Sequence, residues 1–381
     1  MTPTAERKKK GPAPDPCPER LARLRERMEE GGVSAVLVQS PENRRYFSGF
    51  KAPDLMLTES SGCLIITLKG QNLLLTDPRY AEAAKAEAPA FEILVYRSGV
   101  PELLKKEGLD LGELSYEPRM MTVDFLGRLF AVLGKNAFKP LPFNLGDFRV
   151  VKSPEELALV RRAVDITEKA LDRLWNELEP GYSENAASLF LENNFRLLGA
   201  EGPAFPSIVA SGRNAALPHA EPSNKKIGKN EMVVIDIGSR YKGYCSDMTR
   251  TFMPFKPADW QKRIYAVVKE AQRRALEALG PGKKGSEVDA VARSYIASEG
   301  YGEYFNHSLG HGVGLLVHEE PRLSTSSQDE LKPGSLVTVE PGIYLPGKGG
   351  VRLEQLCLIT EKGREVLNKN RLYYDYHLDA A

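Results

Sequence analysis

The sequence predicts an α+β protein in two parts, a smaller α/β domain followed by helices framing a mostly antiparallel sheet. Three observations point there. The chain has 381 residues, beyond the roughly 250–300 at which one hydrophobic core stops growing. Its first part alternates short helical and strand-like patterns, as packed layers do. Its second part opens on two amphipathic helical patterns and then sets two more between β-rich segments.

In the first part, residues 18–30 read as an amphipathic helix stopped by Gly31-Gly32, and 34–39 as a buried strand. Strands are expected at 63–68 and 72–76 around a short turn at Lys69-Gly70-Gln71, then a helix over 79–87 and a strand over 92–96. No phosphate loop, metal cluster or nucleophile motif is visible there. A boundary falls near 147–152, giving an N-terminal domain over 1–147, with a flexible tail at 1–16, and a second domain over 148–381. Ser153-Pro154-Glu155-Glu156 then has the form of a capping box with proline at the first helical position. Leu157, Val160, Val164, Leu171, Leu174 and Leu178 continue it at three- and four-residue spacing. Further helices are expected from Ser183 to Gly199, over 257–279 and over 285–298.

Composition narrows the function by exclusion. Lysine plus arginine number 52 and aspartate plus glutamate 51, so no global field favours nucleic acid or an anionic membrane. No stretch approaches the roughly 18 apolar residues of a membrane span. Residues 1–10 are polar and lack the apolar segment of a signal peptide, so a cytoplasmic location is expected. The Lys8-Lys9-Lys10 run reads as a solvated tail. Cys17, Cys63, Cys245 and Cys357 form no C-x-x-C pair, which points to reduced, buried thiols.

The chemistry is concentrated in two β-rich pairs. Met232–Gly238 carries Asp236 inside an apolar run, and Gly243–Phe252 carries Asp247 directly after it. A two-residue turn at Tyr241-Lys242 would pair Arg240 with Gly243 and set Asp236 opposite Asp247, with Cβ atoms roughly 4.5–5.5 Å apart. Glu340 ends the apolar strand Leu336–Glu340, and Glu354 ends Gly350–Glu354, the two being symmetric about Gly347. His311 lies between the pairs in Gly310-His311-Gly312-Val313-Gly314, where glycines permit close backbone approach. A single aspartate in a strand is ordinarily an edge or turn residue, and a single histidine ordinarily a hydrogen-bonded side chain. Four carboxylates in two apolar hairpins are different. Two unit charges 4 Å apart repel by about 4 kcal/mol at an effective dielectric of about 20, so such a cluster takes up protons or binds cations. Two divalent ions would neutralise it, and oxygen ligands with one imidazole suit Mn, Co, Fe or Zn.

These five residues, in this order and context, resemble the metal ligands of the methionine aminopeptidase, prolidase and aminopeptidase P superfamily, whose fold is called pita bread. The resemblance runs from about Phe148 to Lys362. It includes Ala204–Gly212, Leu217-Pro218-His219-Ala220, Ser246–Thr251, Val317-His318-Glu319 and Val339–Tyr344. Asp77-Pro78-Arg79-Tyr80 gives the first domain a weaker likeness to the creatinase-type domain.

The resemblance implies that Asp236 chelates one ion, that His311 and Glu340 hold the other, and that Asp247 and Glu354 bridge them. A hydroxide shared by the ions would then attack the scissile carbonyl. It further implies that His318 donates to the developing oxyanion and that His219 contacts the substrate backbone near the scissile nitrogen. Glu340 would also shuttle a proton, while His307 and Arg352 shape a proline site. Arg352 reads either as an orienting group or as a salt-bridge partner of Glu354 or a neighbour. Gln355 departs from the acidic residue often found there.

The large first domain argues against the methionine branch, and the complete ligand set against a metal-free creatinase. The expectation is therefore an Xaa-Pro aminopeptidase, acting on peptides with proline second, with Mn the first choice of metal; a homodimer is implied by the resemblance alone. An Xaa-Pro dipeptidase is the alternative, and a catalytically inactive peptide-binding scaffold is the alternative of another class.

Overall fold

The computed structural model describes residues 16–369, apart from 55, 57, 110, 179, 180, 254 and 255. The basic run at 8–10 and the tail expected over 1–16, save its last residue, lie outside the described residues. The chain divides into two compact units between Phe148 and Arg149.

The first unit runs α1 (Cys17–Glu30), β1 (Ala35–Val38), α2 (Pro41–Ser48), β2 (Gly62–Thr67), β3 (Asn72–Thr76), α3 (Ala81–Glu87) and β4 (Glu92–Val95). It continues with α4 (Val100–Glu107), β5 (Leu114–Tyr116), α5 (Val123–Leu133) and β6 (Phe138–Pro140). Its six strands form one mixed sheet in the order β4-β3-β2-β1-β5-β6. Every residue of β1 and β2 is buried, which explains why these strands read as unbroken apolar runs rather than alternating ones. The sequence reading missed α2, because its inward residues include Asn43 and Arg44, both buried. Glu117 accepts from the Ser40 amide and hydroxyl and from the Asn43 amide, so polar partners do there what apolar spacing does elsewhere.

The second unit begins with α6 (Pro154–Glu177) and α7 (Glu184–Leu197), then β7 (Gly202–Pro203), β8 (Ile208–Ser211), β9 (Val233–Ile237), β10 (Ser239–Tyr241), β11 (Tyr244–Cys245) and β12 (Met248–Phe252). After α8 (Asp259–Ala278) and α9 (Gly285–Ser298) come β13 (Gly310–Gly312), β14 (Glu319–Leu323), β15 (Leu336–Val339), β16 (Gly342–Leu345), β17 (Gly349–Arg352), β18 (Gln355–Thr360) and β19 (Gly363–Val366). All strand pairings in this unit are antiparallel. One helix pair, α6 and α7, covers β8, β9 and β12 through Ile166, Leu171, Phe195 and Ile235. The other, α8 and α9, covers β15 to β18 through Val268, Ala292, Val339 and Leu353. The capping box is present, with Ser153 Oγ accepting from the Glu156 amide and Glu156 Oε2 from the Ser153 amide. All four cysteines are buried and unbridged. No helix among the described residues is long and apolar enough to cross a membrane.

One expected register is corrected. The hairpin turns at Lys242-Gly243, where φ is 48° and 84°, and not at Tyr241-Lys242. A two-residue hairpin turn of this kind needs left-handed backbone at both central residues, which glycine supplies without strain and a bulky tyrosine opposes. Tyr241 therefore pairs with Tyr244, and Asp236 stands opposite Thr249 instead of Asp247. The slip is two residues, so both aspartates keep the same face. Asp247 itself falls in the break between β11 and β12. There Gly238 lies so close to the Ser246 carbonyl that a Cβ would sit 2.1 Å from its oxygen.

The glutamate hairpin keeps the expected register. Val339 opposes Gln355 on one side and Gly342 opposes Arg352 on the other, which leaves Glu340 across from Glu354.

Candidate metal centre

All nine residues singled out in the sequence, His219, Asp236, Asp247, His307, His311, His318, Glu340, Arg352 and Glu354, line one cavity of about 450 Å³. The tightest grouping is Asp247, His311 and Glu354, each offering a ligand atom within 4.8 Å of the others. Glu340 joins through His311, whose Nε2 lies 3.2 Å from Glu340 Oε1 and 3.6 Å from Asp247 Oδ2. Asp236 is held instead by Arg352, with Nη2 2.7 Å from Oδ2.

Backbone packing aims these groups. His311 Nδ1 lies 3.1 Å from the Gly312 carbonyl; a carbonyl only accepts, so Nδ1 donates there, and Nε2 is the ring nitrogen turned to the carboxylates. Gly310 and Gly312 admit neighbouring strands that a side chain would exclude, since a Cβ would meet Thr338 O at 2.0 Å and Glu320 O at 2.2 Å. Thr338 Oγ1 accepts from the His311 amide and donates to Glu340 Oε1, both at 3.0 Å. Thr249 Oγ1 accepts from Arg352 Nε at 3.0 Å and donates to Glu354 Oε2 at 2.8 Å.

On the neighbouring wall, Arg352 Nη1 donates to the Tyr344 hydroxyl at 2.8 Å. His307 Nδ1 faces the Ser308 carbonyl, so its Nε2 accepts from that hydroxyl at 2.9 Å. Arg352 thus pairs with Asp236 and not with Glu354. Gln355 lies on β18 and its Oε1 accepts from Arg250. Thr249, Thr338 and Tyr344 were not singled out from the sequence, although Thr249 and Tyr344 fall inside stretches that carried the resemblance.

The electrostatics follow from burying four acids together. Burial, and then Glu354, Asp236 and Glu340, push Asp247 well above the usual carboxylate range. Burial, Glu340 and Asp236 do the same to Glu354. Burial also pushes Glu340 upward, but the hydrogen bond and charge of His311 outweigh it and bring the group to about 2. Burial lowers His307. Partial burial, with His311 and Arg322 adding repulsion, lowers His318 to about 4.

The donor set fits divalent cations. Asp236 Oδ1 and Glu354 Oε1 are buried oxygens that accept no hydrogen bond among the described residues, an arrangement that is costly unless a cation satisfies them. Carboxylate oxygens with one inward imidazole nitrogen are donors that such ions take.

Comparison with known proteins agrees with this geometry. The profile of metallopeptidase family M24 matches residues 158–361, and that of the creatinase/prolidase N-terminal domain matches residues 20–151. The Xaa-Pro dipeptidase of Pyrococcus furiosus is 38% identical over 355 residues, covering 92% of this chain and 98% of the relative. Among solved structures, the Xaa-Pro dipeptidase from Bacillus anthracis superposes with a TM-score of 0.86 at 37% identity, covering 93% of this chain and 98% of that one. The X-Pro aminopeptidase from Thermotoga maritima gives 0.84 at 35% identity, covering 92% and 97%. With both profiles matched and one cavity gathering the acidic cluster, this chain belongs to metallopeptidase family M24, with a creatinase/prolidase N-terminal domain.

Proposed function

We propose that this protein is a dinuclear Xaa-Pro dipeptidase, hydrolysing the bond between a first residue and a following proline. The observation that carries the metal reading is the convergence of four carboxylates and His311 Nε2 in one cavity, with two buried oxygens that accept no hydrogen bond among the described residues. Asp236 would bind one ion and His311 with Glu340 the other, Asp247 and Glu354 serving both. The ions, Mn first and Co, Fe or Zn as alternatives, would polarise the scissile carbonyl and acidify a water toward a pKa of about 7.

The chain's own groups supply the rest. His318, held near pKa 4, is neutral at pH 7 and offers an N–H to the carbonyl oxygen as charge develops there. His219 contacts the substrate backbone near the leaving nitrogen. Glu340 carries the proton to that nitrogen. Tyr344, fixed between Arg352 and His307, stiffens the wall against which the proline ring packs.

The sequence alone favoured an aminopeptidase; the dipeptidase reading replaces it on two grounds. Relatives of 37–38% identity bear the dipeptidase name. The cavity also carries Arg322, an exposed cation whose Nε is 3.8 Å from Glu320 Oε2. A dipeptide places its free carboxylate one residue beyond the scissile bond, and Arg322 is the group we assign to receive it. The aminopeptidase reading keeps one support, the Thermotoga maritima relative. An inactive scaffold is disfavoured by the complete ligand set. A homodimer in the cytoplasm is part of the same reading, checked by sedimentation and fractionation.

Rates on Xaa-Pro, Xaa-Pro-amide and Xaa-Pro-Xaa under Mn and Co test the choice. The dipeptide should be cleaved at least tenfold faster than the other two, and equal or faster cleavage of the tripeptide would return the aminopeptidase.

A further inference from the structure

Glu340 and Glu354 lie where a long hairpin stops being a hairpin. The ladder is regular from Leu336 opposite Leu358 to Val339 opposite Gln355, and regular again from Gly342 opposite Arg352. In between, neither glutamate amide bonds across the hairpin. The Glu340 amide donates to the Leu309 carbonyl at 2.8 Å, and the Glu354 amide to the Thr249 carbonyl at 3.1 Å. The carbonyl belonging to each of those peptide groups, Val339 O and Leu353 O, faces the helical layer behind.

Both carbonyls are taken by one side chain. Gln272 on α8 donates from Nε2 to Val339 O at 2.8 Å and to Leu353 O at 2.7 Å. Gln272 is fully buried, in a neighbourhood otherwise built of Val268, Ala271, Ala275, Ile343 and Val351. Its Oε1 accepts no hydrogen bond among the described residues, so the side chain serves here as a donor only. A planar amide carries two N–H groups at a fixed angle, which fits two acceptors at near-equal distance. The peptide plane leading into each glutamate is therefore pinned at both ends, by the Leu309 and Thr249 carbonyls on the N–H side and by the single Gln272 amide on the C=O side. No other described side chain bonds to both planes.

We propose that Gln272 is a positioning residue for the metal centre, fixing the separation and aim of Glu340 and Glu354 through their preceding peptide groups. The assignment rests on the metal reading above. Without the amide, the two planes lose their common anchor, and like-charged carboxylates are free to turn apart before the ions arrive. Partners that orient metal ligands are typically worth 10–100-fold in affinity or activity.

The test uses the full-length chain, with Mn²⁺ binding followed by calorimetry and the Co²⁺ absorption spectrum as an independent report on ligand geometry. Q272M keeps the length and removes the donors; V268A, one turn earlier in the same core, weakens packing without touching the amide. Q272M is expected to bind Mn²⁺ 10–100-fold more weakly, with an altered Co²⁺ spectrum and, at saturating metal, a lower kcat with KM within twofold of native. V268A is expected to melt at lower temperature with native Mn²⁺ affinity. If Q272M does not fold, Q272N replaces it, since its shorter amide cannot reach both carbonyls, and the same loss is expected. Native-like metal affinity and spectrum in the glutamine variant, or an equal affinity loss in V268A, overturns the proposal alone. A native chain that takes up no Mn²⁺ overturns the metal reading and this proposal with it.

Discussion

At the scale of single residues, the roles proposed for Asp247 and His318 separate binding from turnover. Asp247 is buried and within reach of His311 Nε2. Asp247→Ala should remove a bridging ligand and lose metal and turnover together, read by metal analysis and a peptide assay on one preparation. His318 touches the site edge-on, its ring 4.4 Å from that of His311. His318→Ala should leave metal content unchanged and slow turnover by roughly 10²–10³, the size of losing one oxyanion donor. Arg322→Ala should raise KM for Xaa-Pro about tenfold or more and leave the amide substrate unaffected; an equal effect on both would remove Arg322 from carboxylate recognition. The residues that resemblance named were legible because each sits in a distinctive short motif. Thr249, Thr338 and Tyr344 were not, because their importance depends on which strand lies beside which. Gln272 was less legible still, as a polar residue on an apolar helical face whose partners lie 67 and 81 positions away.

At the scale of elements, β14 is tied to the start of the second unit by a buried charge cluster. Arg149 Nε and Lys152 Nζ lie 2.9 and 3.0 Å from the two oxygens of Glu319, the residue after His318. Burial pushes the Glu319 carboxyl up, but Lys152 and Arg149 outweigh it and leave it below its ordinary value. A carboxylate depressed in the folded state adds stability above its unfolded pKa of about 4.3, and that stability is lost as pH falls through the folded value. Glu319→Gln removes the charge that two buried cations share and should cost about 3 kcal/mol at pH 7. In denaturant unfolding, the gap to the native chain should shrink as pH falls from about 5 to about 3. A gap independent of pH would show that the ion cluster does not stabilise β14.

The same scale explains the misread turn. Hydrophobic alternation marked both strands, but a shift of two residues preserves alternation, so only backbone sterics at Lys242-Gly243 distinguish the two registers. For the glutamate hairpin the sequence was sufficient, since a Pro-Gly-Lys-Gly loop centred on Gly347 leaves one way to fold back. In the first unit, the reading faded after residue 96, where β5 and β6 have three residues each and too few side chains to show a period.

At the scale of the whole molecule, the α+β class and the antiparallel second unit were legible because long amphipathic helices and apolar hairpins are strong, repeated signals. The acidic cluster sets the molecule's response to metal. Asp247 and Glu354, raised by burial and by the carboxylates around them, keep protons longer when folded than when unfolded. In the chelated protein their contribution is therefore greatest at low pH and declines as pH rises above the ordinary carboxylate value. Ions compete with those protons for the same oxygens, so the rise in Tm on adding Mn²⁺ should grow between pH 5 and pH 8. A rise that is constant or shrinks over that range would argue that the ions bind elsewhere.

The central claim is that five side chains from distant parts of the chain form one cradle for two divalent ions, and that this cradle cleaves Xaa-Pro bonds. It is tested most directly by measuring metal content and Xaa-Pro hydrolysis on the same purified protein after loading with Mn²⁺. The account predicts two ions per chain and cleavage, with Asp247→Ala deficient in both. Fewer than one ion per chain, together with no cleavage under either Mn²⁺ or Co²⁺, would contradict it.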